Sequence, residues 1–229
     1  MFISVAIDGP AGSGKSTITK KLANELNFNY VDTGAMYRAL TYKFLKNNIK
    51  NIDEELINEI LKNTKFNVYF DNFNQIVEVD NENVTEKIRT SEISKYTSIF
   101  AKSKSVRNYL IETQRDLAKS CDVIMDGRDI GSVVLPNANL KIYLTASVEE
   151  RANRRYKELI SNNEEVNIED IKKSIEERDN QDKNREIAPL IKVDDAVEID
   201  TTNYSIDEVV ENIKNIILET VSKERGSNV

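Results

Sequence analysis

The chain has 229 residues, 31% of them charged and 39% hydrophobic, with a net charge of −7, one cysteine and no histidine. That length supports one sizeable domain with a full core, and the acidic balance argues against broad binding to nucleic acid or an anionic membrane. The absence of histidine removes Ser-His and Cys-His nucleophiles and imidazole metal sites, leaving chemistry that runs on Lys, Arg, Asp, hydroxyls and a bound ion.

Cys121, the single cysteine, can form no internal disulfide. No apolar run approaches the ~18 residues of a membrane span, and the first residues lead straight into a strand pattern without a leader. The expectation is a cytoplasmic monomer with no membrane or nucleic-acid partner.

The apolar run Phe2–Ile7 predicts a strand, and Ile18, Leu22, Ala23 and Leu26 predict the helix that follows. Between them lies Gly9-Pro10-Ala11-Gly12-Ser13-Gly14-Lys15-Ser16, a G-x-x-x-x-G-K-[ST] loop in its required strand–loop–helix setting. Glycines let backbone N–H groups turn in around a triphosphate, and the helix N-terminus adds a favourable dipole. Lys15 is expected at the β- and γ-phosphates and the Ser16 hydroxyl at Mg²⁺, with Thr17 completing the ATP-side set.

Further apolar runs at Phe28–Val31, Val123–Met125, Lys141–Leu144 and Val197–Ile199 alternate with helical patterns. Alternation of this kind argues for an α/β fold, a parallel sheet covered by helices on both faces. Phe66–Phe70 and Gln75–Val79, separated by turn residues Asp71–Asn74, predict an antiparallel hairpin. With helical segments over Glu92–Ala118, it suggests an insert at about residues 63–105 within a single domain spanning 1–229. Ser147 and Ser205, each followed three residues later by Glu, predict capping boxes. Ile206, Val209, Val210, Ile213, Ile216 and Ile217 predict a core-facing final helix, with Lys223–Val229 as a frayed tail.

Three stretches point to an acceptor site. Asp32–Arg38 lies at the carboxyl end of the second strand, where open α/β sheets bind ligands; Thr33 is expected to cap the helix and Arg38 to reach an anion. Asp126 ends the third core strand where a Walker-B carboxylate stands, so it is a candidate Mg²⁺ ligand, through water; Arg128 and Asp129 project beyond it. The stripe Ile168, Ile171, Ile175 continues as Arg178, Asp182 and Arg185, so an apolar face leaves the core and enters a polar cleft. Arg151, Arg154 and Arg155 share a helix face, a crowding of charge that predicts an anion nearby. With the polar stretch Ser161–Glu165 they suggest an arginine-bearing lid over ATP at about residues 150–166.

The phosphate loop alone leaves GTPase, ATPase, kinase and transporter subunit open. Taken together, Gly9–Ser16, Asp32–Arg38, Asp126-Gly127-Arg128-Asp129-Ile130-Gly131 and Glu177-Arg178-Asp179 through Asp182, Arg185 and Ala188-Pro189-Leu190 resemble the bacterial cytidylate kinases, over essentially the whole chain. The resemblance implies a P-loop NTPase-type core with a nucleoside-monophosphate-binding insert and a lid. It implies transfer of the ATP γ-phosphoryl group to CMP or dCMP, with Mg²⁺. It further implies that Arg38, Arg128 and Arg185 hold the acceptor phosphate with Arg178 nearby, and that Asp182 meets the ribose. Ser98, Arg107 and Asp129 would read cytosine, with Thr33 also touching the acceptor. Lys15, Arg128, Arg154 and Arg185 are then the expected catalytic groups. A uridylate-accepting or shikimate-type kinase is the first rival; a GTPase switch is the second, disfavoured because no Asn-Lys-x-Asp segment occurs.

Overall fold

The computed structural model describes residues 2–161 and 164–226. Elements follow the chain as β1 (Ser4–Asp8), α1 (Lys15–Leu26), β2 (Asn29–Asp32), α2 (Thr33–Lys46), α3 (Glu54–Lys62), β3 (Phe66–Asp71), β4 (Asn74–Val79) and β5 (Glu82–Asn83). There follow α4 (Ser91–Phe100), α5 (Lys104–Ser120), β6 (Val123–Gly127), β7 (Leu140–Thr145), α6 (Val148–Ser161), α7 (Ile168–Lys183), β8 (Val197–Asp200) and α8 (Ile206–Gly226). All five predicted core strands form, and they make one parallel sheet in the order β2-β6-β1-β7-β8.

Both faces of that sheet are buried, which is why its strands read as continuous apolar runs rather than alternating ones. On one face Val5, Ile7 and Ile142 pack against Ile18 and Leu22 of α1 and Val210, Ile213 and Ile217 of α8. On the other, Ala6, Val31 and Met125 pack against Met36, Leu40 and Phe44 of α2 and Leu110 of α5. Each fully buried Leu, Ile, Phe or Met contributes roughly 1.5–3 kcal/mol.

Register brings the functional ends level. Asp8 pairs with Gly127 and Asp32 with Asp126, so β1, β2 and β6 all stop at one edge. The crevice beyond that edge receives the phosphate loop, the α2 N-terminus and the loop after β6.

The hairpin pairs Phe66 with Val79 and Asp71 with Asn74, leaving Asn72 and Phe73 as a two-residue turn, both with positive φ. A short third strand, β5, extends this second sheet. Its turn end meets the large sheet: the Tyr30 N–H donates to the Phe73 carbonyl at 3.3 Å and the Asp32 N–H to Gln75 Oε1 at 2.6 Å. Helix α5 touches the hairpin, with the Phe66 and Tyr109 rings edge to face at 6.1 Å, and it also reaches the main core. Its Val106 and Leu110 share a core cluster with Met36, Val123 and Met125.

Two expectations about the final helix need correction. Ile206, the first residue of the expected stripe, is exposed, because the capping box turns the chain there. The helix also runs through Lys223 to Gly226 instead of fraying, since Val221 packs on the core and Arg225 pairs with Asp122 at 2.7 Å. Residues 227–229 of the expected tail, and Asn162 and Asn163 of the expected lid loop, lie outside the described residues.

Candidate active site

The phosphate loop is shaped by its own backbone. Gly14 caps α1 in the left-handed region at φ 87°, and Gly12 has φ 77°. A Cβ on Gly9 would meet the Leu144 carbonyl oxygen at 2.0 Å, so only glycine lets the loop cross β7. Ser13 Oγ donates to the Pro10 carbonyl at 3.0 Å, and Lys15 Nζ donates to the same oxygen at 2.5 Å. Lys15 is buried, and its ammonium is held well below its ordinary pKa by desolvation first and by the field of Arg128 second, with Arg178 adding to it. The loop lysine thus lies within the fields of Arg128, just past β6, and of Arg178 on α7.

Beside the lysine, Ser16 Oγ donates to Asp126 Oδ2 at 2.8 Å. Asp126 is raised to about 7 by burial, and next by the neighbouring Asp32 carboxylate. Two neighbouring carboxylates and a hydroxyl offer the oxygen donors that suit a hard divalent cation completed by phosphate oxygens and water. Thr33 does not cap α2. Asp32 does, accepting from the Ala35 N–H at 2.8 Å, while Thr33 Oγ1 donates to the Asp126 carbonyl at 2.7 Å and so ties β2 to β6. Adjacent Asp and Thr are both good caps, and only the angle of entry into α2 chooses between them.

The acceptor-side residues converge as a wall of ion pairs. Arg38 meets Asp32 at 2.8 Å; Asp182 accepts from Arg128 Nε at 2.9 Å and from Arg185 at 2.6 Å. Burial opposes the Asp182 charge, but Arg128 and Arg185 outweigh it and hold its pKa below the ordinary value. Arg178 keeps an exposed surface yet is hemmed in along the cleft wall. Its guanidinium is pushed down to about 10 by desolvation and then by Arg128. Arg38, Arg128, Arg178 and Arg185 stand against Asp32 and Asp182, which pair with three of them, and against the field of Asp129, and the Nε atoms of Arg38 and Arg185 are buried without a partner. Surplus positive charge with unused buried donors makes an anion site.

Arg107 and Asp129 form a separate buried ion pair, with Arg107 also donating to the Ala101 carbonyl at 3.2 Å and lying over the Tyr37 ring. Asp129 is raised by burial, against the fields of Arg107, Arg185 and Arg128. Ser98 sits on α4, partly buried, and enters none of these bonds.

The expected crowding of three lid arginines is relieved by separate carboxylates. Arg154 pairs with Glu150 at 2.9 Å and also donates to Thr201, and Arg155 pairs with Glu158 at 2.8 Å. Arg151, expected over the phosphates, turns inward to Asp179. Shared face position brought the three together on paper; partners on other elements part them.

Sequence reasoning missed Asp8, Asp179 and Gln75. Asp8 is buried at the end of β1, accepts from the Ile130 and Gly131 N–H groups at 2.9 and 2.7 Å, and is raised to about 6, chiefly by desolvation. It thereby holds the start of a π-helical turn, Ile130–Val134, directly after Arg128 and Asp129. The acidic end of an apolar strand was a usable signal for Asp8. Nothing local marks Asp179 or Gln75, whose partners lie on other elements.

A phosphate loop at the end of a central parallel strand, opposed by a wall of arginines, defines a P-loop phosphotransferase that acts on small phosphorylated molecules. The cytidylate kinase family profile matches residues 5–219. The chain is 52% identical over 216 residues to the cytidylate kinase of Alkaliphilus oremlandii (strain OhILAs), covering 94% of this chain and 98% of that protein. It is 49% identical over 219 residues to the cytidylate kinase of Geobacillus sp. (strain WCH70), covering 96% and 98%. The chain belongs to the cytidylate kinase family. Among solved structures, an uncharacterized protein from Eubacterium ventriosum ATCC 27560 shares the fold with a TM-score of 0.53 at 14% identity, over 96% of this chain and 99% of that one.

Proposed function

We propose that the chain transfers the γ-phosphoryl group of ATP to the 5′-phosphate of CMP or dCMP, giving ADP and CDP or dCDP. The observation that carries this reading is the arginine surplus, with buried unpaired donors, facing the phosphate-loop lysine. Family membership supports cytosine as the base of the acceptor. An acceptor phosphate oxygen forms the new bond to the γ-phosphorus as the bond to the β-bridging oxygen breaks. Arg38, Arg128, Arg178 and Arg185 screen the repulsion between the two phosphates. No strong general base is needed, because the acceptor oxygen is already anionic. Lys15 and the Gly9–Thr17 loop hold ATP, and Ser16 and Asp126 would hold Mg²⁺, which neutralises charge on the β- and γ-oxygens when bound.

Asp182 is assigned to the ribose, and Arg107, Asp129 and Ser98 to the base, with Thr33 at the acceptor's edge. The β3–β5 sheet is assigned to acceptor binding. Residues 150–166, most of them on α6, are assigned as the lid, with Arg154 and Arg155 reaching ATP by exchanging their carboxylate partners. No helix among the described residues is long and apolar enough to cross a membrane. A cytoplasmic monomer stays part of this reading, and the net charge of −7 weighs against nucleic acid and anionic membrane as partners.

The test is ADP release from Mg²⁺-ATP with CMP, dCMP, UMP, AMP and shikimate supplied separately. Turnover with CMP and dCMP, little with AMP and none with shikimate is expected. A preference for UMP would overturn the base assignment, and no stimulation by any acceptor would overturn the kinase reading.

A further inference from the structure

Arg151 lies on the first turn and a half of α6, yet it is 3% exposed, and its partner Asp179 on α7 is 7% exposed. The two form a bidentate pair, Nη1 to Oδ1 at 3.0 Å and Nη2 to Oδ2 at 2.5 Å. Two more of its five N–H donors are also committed. Nε donates to the Ala146 carbonyl, just past β7, and Nη1 to the Ala11 carbonyl in the phosphate loop, each at 3.0 Å. The Arg151 stem also packs on the loop, since a Cβ on Gly12 would come within 3.2 Å of Arg151 Cβ. One guanidinium thus joins the sheet edge, the phosphate loop and α7.

A side chain so placed is poorly suited to contact ATP directly. Freeing it would leave a buried carboxylate and two backbone acceptors unpaired, at a cost larger than a single phosphate contact returns. Its position suits a different task. Asp179 is one helical turn before Asp182, which orients Arg128 and Arg185. A continuous path therefore runs from Ala11 through Arg151, Asp179 and Asp182 to the acceptor-side arginines. Apolar packing of Ala152 and Leu159 on Ile171 and Ile175 makes α6 and α7 one stiff arm, so the path ends on a rigid element.

We propose that the Arg151–Asp179 pair is a latch that sets the phosphate loop and α7 in register and so couples donor binding to acceptor-site order. Arg151 and Asp179 are positioning residues on this account. The inference rests on the assignment of α7 to the acceptor side.

The test compares wild type, Arg151→Gln, Asp179→Asn and the double variant, with Arg151→Lys and Asp179→Glu as gentler changes should the others fold poorly. Binding of a non-hydrolysable ATP analogue is measured with and without CMP, alongside kcat and both KM values, below each variant's thermal midpoint. Either single change is expected to weaken analogue binding, abolish its enhancement by CMP and lower kcat by about 10- to 100-fold. The double variant should be no worse than a single one, because both changes open the same latch. Loss of ATP affinity in Arg151→Gln but not in Asp179→Asn would overturn the proposal in favour of direct contact. Unchanged kcat and KM in all variants with only a lowered midpoint would overturn it in favour of a purely structural pair. Analogue binding needs no acceptor, so a wild-type chain that binds ATP but ignores CMP would sink the acceptor reading separately.

Discussion

The two halves of the active site are built in opposite ways. The donor half is one contiguous loop, Gly9–Thr17, whose shape comes from glycine conformations, backbone donors and the start of α1. The half proposed to take the acceptor draws Arg38, Arg128, Arg178 and Arg185 from α2, the β6 loop, α7 and just beyond it, with Asp32 and Asp182 pairing three of them. Backbone geometry cannot be exchanged for a ligand; ion pairs can. The donor half therefore needs no more than the release of Lys15 from the Pro10 carbonyl to take a phosphate. The acceptor half stores its arginines on protein carboxylates and must share or hand them over when an anionic substrate arrives. That arrangement limits the mutual repulsion of the cluster without a ligand and restricts strong phosphate binding to an acceptor that can compete with Asp32 and Asp182.

The contrast can be broken from either side. The largest effect is expected at Lys15, the one donor-side charge that faces the acceptor arginines. Lys15→Met should lower kcat by about 10³-fold, or ~4 kcal/mol in the barrier, in a steady-state assay. Removing the desolvated ammonium should leave the thermal midpoint unchanged or raised. The buried pair beside the acceptor comes next. Arg107→Met should cost about 3 kcal/mol in denaturant unfolding, at the lower end for a broken buried pair, because Arg128 and Arg185 still face Asp129. Discrimination between CMP and UMP should fall with it.

Arg128→Ala should reduce kcat/KM for CMP by about 10²-fold while shifting ATP affinity by no more than about threefold. Equal losses on both sides would erase the division between the halves. The smallest effect concerns pH. Asp126 titrates near 7 in the fold and at about 4 in an unfolded chain, so the folded state binds the extra proton between those values. Stability without nucleotide or divalent ion should thus decline as pH rises from about 4 to 7, and stay at the lower level above it. Asp126→Asn should remove the share of that decline due to Asp126, leaving those of Asp8 and Asp129, and gain on the order of 1–2 kcal/mol at pH 8 in thermal unfolding. A flat wild-type profile would show that Asp126 carries no such strain.

Legibility in the sequence followed the range of the interactions. The strands were readable because a doubly covered parallel sheet demands unbroken apolar runs, and the phosphate loop because its glycines, lysine and serine act within eight consecutive residues. The hairpin was readable from its period of two and its Asp71–Asn74 turn. Arg128 and Asp126 could be placed by strand-end position alone. Their partners could not, because Asp182 lies 54 residues from Arg128, and Ser16 lies 110 from Asp126.

Sequence by itself determined the fold class and the donor loop, since each is specified by local periodicity or by a motif that acts through its own backbone. Tertiary structure alone decided which carboxylate each arginine meets. It separated Arg151, Arg154 and Arg155 onto Asp179, Glu150 and Glu158, made Asp32 rather than Thr33 the cap of α2, and set Asp8 beneath the π-helical turn. Charge pairing over long sequence separations depends on how helices are laid across the sheet, and that arrangement is fixed by core packing rather than by the charged residues themselves.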